Sequence, residues 1–287
     1  RLLSFEVKGG GFEWFGHDPA DEVLTAYGLM EFCDMARVAE VDPAVIQRTR
    51  DWVYGRQGDD GRWRVSGHDV HSAMDQNRDP AERTTAYVAW ALAEAGDADS
   101  RLAKALGIAA ATAAKTDDPY TLALCTNALV AGRRPEANAA LDRLLSLKQD
   151  ADKTTCWKAK GESAVYSYGE AADVETTALA TYALLKAQRE SAVASKALAW
   201  LAQKKDPRGT WYSTQATVLA MRALLVGTGP ASDIKDKVVA AIMVNGKPAK
   251  ELTITQENAD VFHLVSLRDL VKPGENQIAL EIAGQGN

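Results

Sequence analysis

Residues 52–74 read WVYGRQGDDGRWRVSGHDVHSAM. The stretch joins a helix end (Trp52, Gln57) to an Asp-Gly-x-Trp turn (Asp60, Gly61, Trp63) and then to a polar loop holding His68 and His71. Related sentences recur at Trp200, Gln203, Gly209 and Trp211, and earlier at Gly10, Gly11, Phe12 and Trp14. A unit that returns with a helix end, a glycine turn and an aromatic predicts repeated helical hairpins. Only the copy at Trp52 is followed by a long loop with two histidines, so any chemistry is expected there.

Working outward, residues 9–19 form a Gly-rich, aromatic turn. From Asp18-Pro19 to Ala39 a helix is predicted that is apolar on nearly every side (Val23, Leu24, Tyr27, Met30, Cys33, Met35, Val38), as for a helix buried on more than one face. Asp42-Pro43 opens another, with Asp as N-cap and Pro at the first helical position. Its apolar positions Val45, Ile46, Thr49, Trp52 and Val53 keep to one stripe. The alternation continues. Apolar helices are predicted over 82–95, after Asp118-Pro119, over 174–187 and over 214–226; an Ala-rich one over about 99–115 and amphipathic ones over 135–148 and 192–204. Gly96 suits the left-handed residue after a helix end, and Ser213-Thr214 suit the cap of the last helix. Inner helices alternating with outer ones describe an α/α toroid over residues 1–228. About nine helices are expected, fewer than a closed ring of six inner and six outer helices, so the ring is expected to be incomplete at the N-terminus and open on one side.

After Gly227 the composition changes. Gly229-Pro230 and Ser232 read as a linker, and Val238–Val244, Leu252–Thr255, Val261–Leu267 and Gln277–Ile282 as strands of a partial β-domain over 229–287. Asn245-Gly246 predicts a hairpin turn, because both central residues need φ > 0; Pro273-Gly274 marks another turn.

Bulk properties bound the function. The 287 residues suit one large domain and a smaller one; 46% are hydrophobic, 25% charged, and the net charge is −6. No basic cluster fits a nucleic-acid backbone, and no apolar run approaches the roughly 18 residues of a membrane span. Cys33, Cys125 and Cys156 stand singly, with no disulfide framework or C-x-x-C spacing. The chain begins at Arg1 in mid-pattern, with Leu2, Leu3 and Phe5 following, and is expected to be a piece of a longer polypeptide.

The order of these features resembles the thioester-containing domain of the alpha-2-macroglobulin and complement family. The matching residues are Leu24-Thr25-Ala26, Trp52 to Gln57 and Asp60-Gly61, then Glu175-Thr176-Thr177 with Tyr182-Ala183-Leu184-Leu185, and finally Trp200-Leu201 through Gln203 to Ser213-Thr214-Gln215-Ala216-Thr217. The similarity covers about residues 1–227, and the β-tail resembles the CUB-like segment that follows the toroid in that family. The resemblance implies a secreted, extracellular or periplasmic protein that traps proteases as an endopeptidase inhibitor or tags surfaces covalently. It implies partners in a protease or cell-surface acceptor and in the remaining domains of the parent chain, and no cofactor. In the family a Cys-Gly-Glu-Gln motif forms an internal thioester. Here Cys33, Cys125 and Cys156 are followed by Asp34-Met35, Thr126-Asn127 and Trp157-Lys158, so the bond lies outside this chain or is absent from its parent. In complement-type members a histidine attacks the thioester, the freed thiolate acts as base and a hydroxyl acceptor takes the acyl group; macroglobulin-type members carry Asn there and favour amines. Counting along the family pattern from Asp60 reaches His71, not His68.

Other readings carry less. A bland reading leaves His71 a solvated loop residue, and His68 and His71 with Asp69 or Asp75 lack an identifiable third metal ligand. Trp63 and Trp211 suit packing between hairpins better than ligand stacking. Asp59-Asp60 lack the Asp-x-Asp-Asp signature of protonating cyclases. A toroid enzyme of the terpene-cyclase or prenyltransferase kind would show an aromatic-lined central cavity with converging carboxylates or zinc, whereas a thioester domain, or a relative that lost its thioester and serves as an interaction module, would show a filled core. His71 is expected to be solvent-accessible and unligated, on the ring end where helix N-termini from Asp18, Ala81 and Ser213 favour developing negative charge.

Overall fold

A computed structural model describes residues 2–64, 80–228, 237–255 and 265–283. It divides into two compact units, Arg1–Gly227 and Thr228–Asn287. The first is built from α1 (Glu22–Met35), α2 (Pro43–Gly55), α3 (Pro80–Glu94), α4 (Ser100–Lys115), α5 (Pro119–Ala131), α6 (Ala137–Ser146), α7 (Gly169–Lys186), α8 (Ser191–Gln203) and α9 (Thr214–Thr228), with a 3-10 turn at Leu2–Phe5 and a short hairpin of β1 (Gln149–Ala151) and β2 (Thr154–Cys156).

Each helix starts where the local chemistry favours it. Asp42, Asp99 and Asp118 accept backbone N–H groups as N-caps, and Pro43 and Pro119 occupy first-turn positions where no N–H is needed. Helix α1 starts later than expected. Its N-cap is Asp21, which accepts the Leu24 N–H at 2.7 Å, so Asp18 and Pro19 precede the helix. It also ends earlier, at Met35, and Val38, expected on a buried face, is 88% exposed in the turn that follows.

The odd-numbered helices form the inner layer: α1 packs on α3, α3 on α5 and α5 on α7, while α2, α4, α6 and α8 back them from outside. Helix α9 joins through side chains. Gln215 Nε2 donates to the Tyr87 hydroxyl at 3.0 Å near the start of α9, and Arg222 reaches Met30 and Asp34 of α1. Glu94 and Lys186, the last residues of α3 and α7, pair, so these two inner helices end side by side.

Burial separates the inner helices into two kinds. Pro119–Leu129 of α5 and Val174–Leu184 of α7 are buried without interruption, as are Thr84–Ala93 of α3. By contrast, α1 leaves Leu24, Tyr27, Gly28 and Glu31 half-buried, and α9 leaves Met221 and Leu225 exposed. Two helices that read from sequence as apolar all round therefore leave part of their apolar surface uncovered. They are the first and last inner helices, and nine helices among the described residues leave the ring short of six and six.

The second unit holds an antiparallel sheet of β3 (Val238–Val244), β4 (Lys247–Ile254) and β5 (Ile278–Ala283), in the order β4-β3-β5. Asn245 and Gly246 take φ of 53° and 75° in the β3–β4 turn. The strand expected at 261–267 falls largely outside the described residues, and its last three residues are irregular. Ile278, Leu280 and Ile282 share one face of β5 and are exposed.

Candidate functional site

The joint between an outer helix and the next inner helix follows one design. Trp63, Trp157 and Trp211 are buried, and each indole N–H donates to a carbonyl near the end of the preceding outer helix: Val53 at 2.7 Å, Leu144 at 2.6 Å and Leu201 at 2.7 Å. Each of these carbonyls also accepts the N–H of the cap residue three places on (Arg56, Leu147 and Lys204) at 3.1 Å, so the indole supplies a second bond that ties the Trp to the helix end. The backbone N–H of each Trp donates to a threonine hydroxyl of the following inner helix: Thr85, Thr177 and Thr217, all at 3.0 Å. The Thr85 and Thr177 hydroxyls donate back to the Trp carbonyls at 3.4 and 3.1 Å, while that of Thr217 donates to the Ser213 carbonyl at 2.9 Å. Phe12 makes the corresponding pair with Thr25 ahead of α1, at 2.9 and 3.4 Å, without an indole. Trp63 and Trp211 are thus packing residues, as expected. The joint at Trp157 was not singled out in the sequence because the β1–β2 hairpin lengthens its connection.

The Trp63 joint fixes the root of the histidine loop. Gly58 N–H donates to the Arg62 carbonyl and Gly61 N–H to that of Gly58, at 2.9 and 2.8 Å. Gly61 has φ +84°, and a Cβ there would lie 2.8 Å from the Lys104 side chain. Gln57 Nε2 closes the turn on the Gly61 carbonyl at 3.0 Å. Asp60 receives two bonds from Arg64, at 3.2 and 2.6 Å, and the Arg62 N–H at 3.1 Å. The Arg64 guanidinium, then the Arg62 N–H, hold its carboxyl down at about 2. A carboxyl so engaged is an anionic turn anchor and no general acid at neutral pH.

Residues 65–79 lie outside the described residues, and with them His68, His71, Asp69 and Asp75. The chain is followed up to Arg64 and again from Pro80, where α3 starts. Among the described residues no three His, Cys, Asp or Glu side chains form a metal-binding group.

The ring centre is filled. Tyr87, Trp90 and Tyr182 meet edge to face at 5.8 and 6.1 Å. The Arg222 guanidinium lies 5.7 Å from the Trp90 ring centre and 5.6 Å from that of Tyr182. The negative ring faces that a carbocation-handling enzyme would turn toward its substrate are already occupied by this protein's own cation. Glu94 closes the network, accepting from the Tyr182 hydroxyl at 2.6 Å and Lys186 at 3.2 Å. Burial pushes the Glu94 carboxyl up, and these two partners bring it below its ordinary value.

The cysteines are free thiols, and burial raises Cys33, Cys125 and Cys156 alike, which disfavours the nucleophilic thiolate. Away from the centre, an apolar groove of about 260 Å³ lies between the Leu2–Phe5 turn and α1. A polar one of about 700 Å³ lies at the C-terminal ends of the inner helices, lined by Arg37, Glu94, Asp97, Arg133 and Lys186.

Comparison with known proteins agrees with this architecture. A family model described as the A-macroglobulin TED domain matches residues 1–226. Ovostatin from Gallus gallus is 26% identical over 302 aligned residues, which take in 99% of this chain and 20% of that protein. The chain therefore spans about one fifth of the length of that relative. No described helix is long and apolar enough to cross a membrane. With a family match running from the first joint at Phe12 to the last inner helix, the chain belongs to the alpha-macroglobulin thioester-domain family.

Proposed function

We propose that this chain serves, within a longer secreted macroglobulin-like protein, as the domain that presents an acyl group to a protease or to a surface acceptor. The observation that carries the reading is the family match over residues 1–226, together with a ring centre in which, among the described residues, the Trp90 and Tyr182 rings are covered by Arg222. The similarity to ovostatin supports the same parentage. Residues 229–287 are read as the strands of a CUB-like β-domain, and the protein as extracellular or periplasmic.

In this reading the thioester lies outside the chain, and His71 is the relay. Its imidazole attacks the thioester carbonyl and takes the acyl group, and the sulfur leaves as a thiolate. That thiolate then removes the proton from an incoming hydroxyl as the acceptor displaces the imidazole. The Trp63 joint serves this chemistry by fixing where the loop begins, so that the reach of His71 is set by the 15 residues between Arg64 and Pro80. Methylamine tests the first half of the account. The parent chain should gain one methylamine and expose one thiol, while the chain by itself should gain none. An adduct on the isolated chain, or none on the parent, contradicts it; the second result favours an interaction module that has lost its thioester.

A further inference from the structure

Helices α3, α5 and α7 end in the same way. The N–H groups of Asp97, Arg134 and Arg189 reach back to the carbonyls of Leu92, Leu129 and Leu184 at 3.1, 2.9 and 2.9 Å. The residue before each is left-handed: Gly96, Arg133 and Gln188, at φ 72°, 51° and 53°. Such a turn engages late carbonyls that otherwise give a helix end its negative character. Glycine suits the left-handed position, yet α5 places an arginine there. The end of α5 is also held in place, since a Cβ on Gly132 would lie 2.6 Å from the Leu106 side chain of α4 and 3.0 Å from the Ala128 carbonyl.

Arg133 lines the polar cleft of about 700 Å³ at these ends, with Arg37, Glu94, Asp97 and Lys186. The charged groups are sorted by depth. The two acids are sunk in the wall, with side chains 6% exposed, and each has its own cation. Asp97 meets Arg50 at 3.0 Å and accepts the Asp99 N–H at 2.8 Å; Glu94 accepts from the Tyr182 hydroxyl and from Lys186. The cations stand outward. The Arg37 side chain is 63% exposed and gives one nitrogen to Asp34, and that of Lys186 is 39% exposed. Arg133 is exposed, and its side chain makes no hydrogen bond or ion pair among the described residues. The accessible wall is therefore positive, on a chain whose net charge is −6. A guanidinium presents a fixed fork of N–H donors that matches a carboxylate. Left-handed backbone at an arginine whose donors are all unengaged is strain of the kind that gathers at binding sites.

We propose that this cleft binds an acidic peptide segment of a partner protein, with Arg133 as the main carboxylate ligand. The cations stand at the ends of α1, α5 and α7, around a volume in the range of about 300–1,000 Å³ that ligand pockets occupy. A ligand that meets all of them carries several negative groups along one chain, which a small inorganic anion does not. A long polyanion such as a nucleic acid would run onto the acidic remainder of the surface. The cleft is also separate from the histidine loop. Thr85, which holds the Trp63 joint, lies near the start of α3, and Glu94 ends that helix, so the two places are most of a helix length apart. Binding here is independent of the acyl chemistry proposed above.

Fluorescence anisotropy of a labelled hexaglutamate peptide, at low ionic strength and with the intact chain, tests the proposal. Binding should be saturable, and Arg133→Gly should weaken it by about tenfold, as for the loss of one charge-assisted pair. Because glycine suits the left-handed position, the Tm of Arg133→Gly should not fall, so weaker binding is a loss of the ligand's partner and not of the fold. Arg208→Ala removes the same charge from an exposed arginine in the turn before Trp211, and should leave the affinity within about twofold. No saturable binding by the wild-type chain, an unchanged affinity in Arg133→Gly, or an equal loss in both variants overturns the proposal. Displacement of the peptide by inorganic phosphate at comparable concentration, or tighter binding of a sulfated oligosaccharide, would likewise overturn it in favour of a different anion.

Discussion

Replacing Thr85 by Val, with Thr126→Val as its control, isolates what the threonine joints contribute. Both threonines are fully buried on inner helices, and Val matches Thr in shape. They differ in the partner. The Thr126 hydroxyl only donates to the Leu122 carbonyl at 2.7 Å, one turn back, and that carbonyl keeps its helical bond when the hydroxyl is gone. The Thr85 hydroxyl is the acceptor for the Trp63 N–H at 3.0 Å. In Thr85→Val that buried N–H is orphaned, which costs about 1–3 kcal/mol. The return bond to the Trp63 carbonyl, at 3.4 Å, adds little because it is already long. A loss of about 2 kcal/mol is expected for Thr85→Val, against less than about 1 kcal/mol for Thr126→Val. For a unit of this size the first corresponds to a fall of about 4–8 °C in Tm. Calorimetry or thermal circular dichroism at one pH compares the pair. Equal shifts would show that the joint hydroxyl is ordinary core filling and that the loop root owes nothing to it.

Other consequences follow from the same geometry. Gly11→Ala places a Cβ 2.6 Å from that of Ala20 and against the Trp52 indole, and should destabilise by about 1–3 kcal/mol in urea titration; a neutral result would mean that Trp52 swings aside freely. Asp60 should titrate near 2 by NMR and move toward 3.8 in Arg64→Ala; since its folded value is depressed, its contribution is present above 3.8 and lost as pH falls through about 2. Arg222→Met should lose about 1–3 kcal/mol, because Asp34 keeps Arg37 but loses Arg222 and two ring faces lose their cation; an unchanged midpoint would show that Arg222 does not help hold α9 to α1. The half-buried stripe of α1 and the exposed Met221 and Leu225 of α9 should drive association in sedimentation runs, and Met221→Lys with Leu225→Lys should reduce it.

Much of the fold was legible because its punctuation is local. Asp42-Pro43, Asp118-Pro119 and Asn245-Gly246 state their caps and turns in two residues each, and the helices and the turn stand there. Apolar periodicity marked the inner helices but could not tell α3, α5 and α7 from α1 and α9, since it records which side chains are apolar and not whether a neighbour covers them. The start of α1 was misplaced because Asp18-Pro19 and Asp21 are both plausible openings, and only packing selects Asp21. Arg222 was missed as a structural group. A charged residue on an apolar helix reads as a solvated exception until the ring places Arg222 on two aromatic faces. Trp157 could have been found: it precedes Thr177 by 20 residues, much as Trp63 precedes Thr85 by 22. His71 was identified by resemblance alone and lies outside the described residues, so its role stands as proposed.

The most direct test of that role is acceptor partition. In the thioester-bearing parent, activated in the presence of both glycerol and methylamine, mass spectrometry of the acyl products gives the ratio of ester to amide. The wild-type protein should form ester readily, and His71→Asn should shift transfer to the amine while leaving the Tm essentially unchanged. An ester-to-amide ratio that is the same in both proteins would contradict the account.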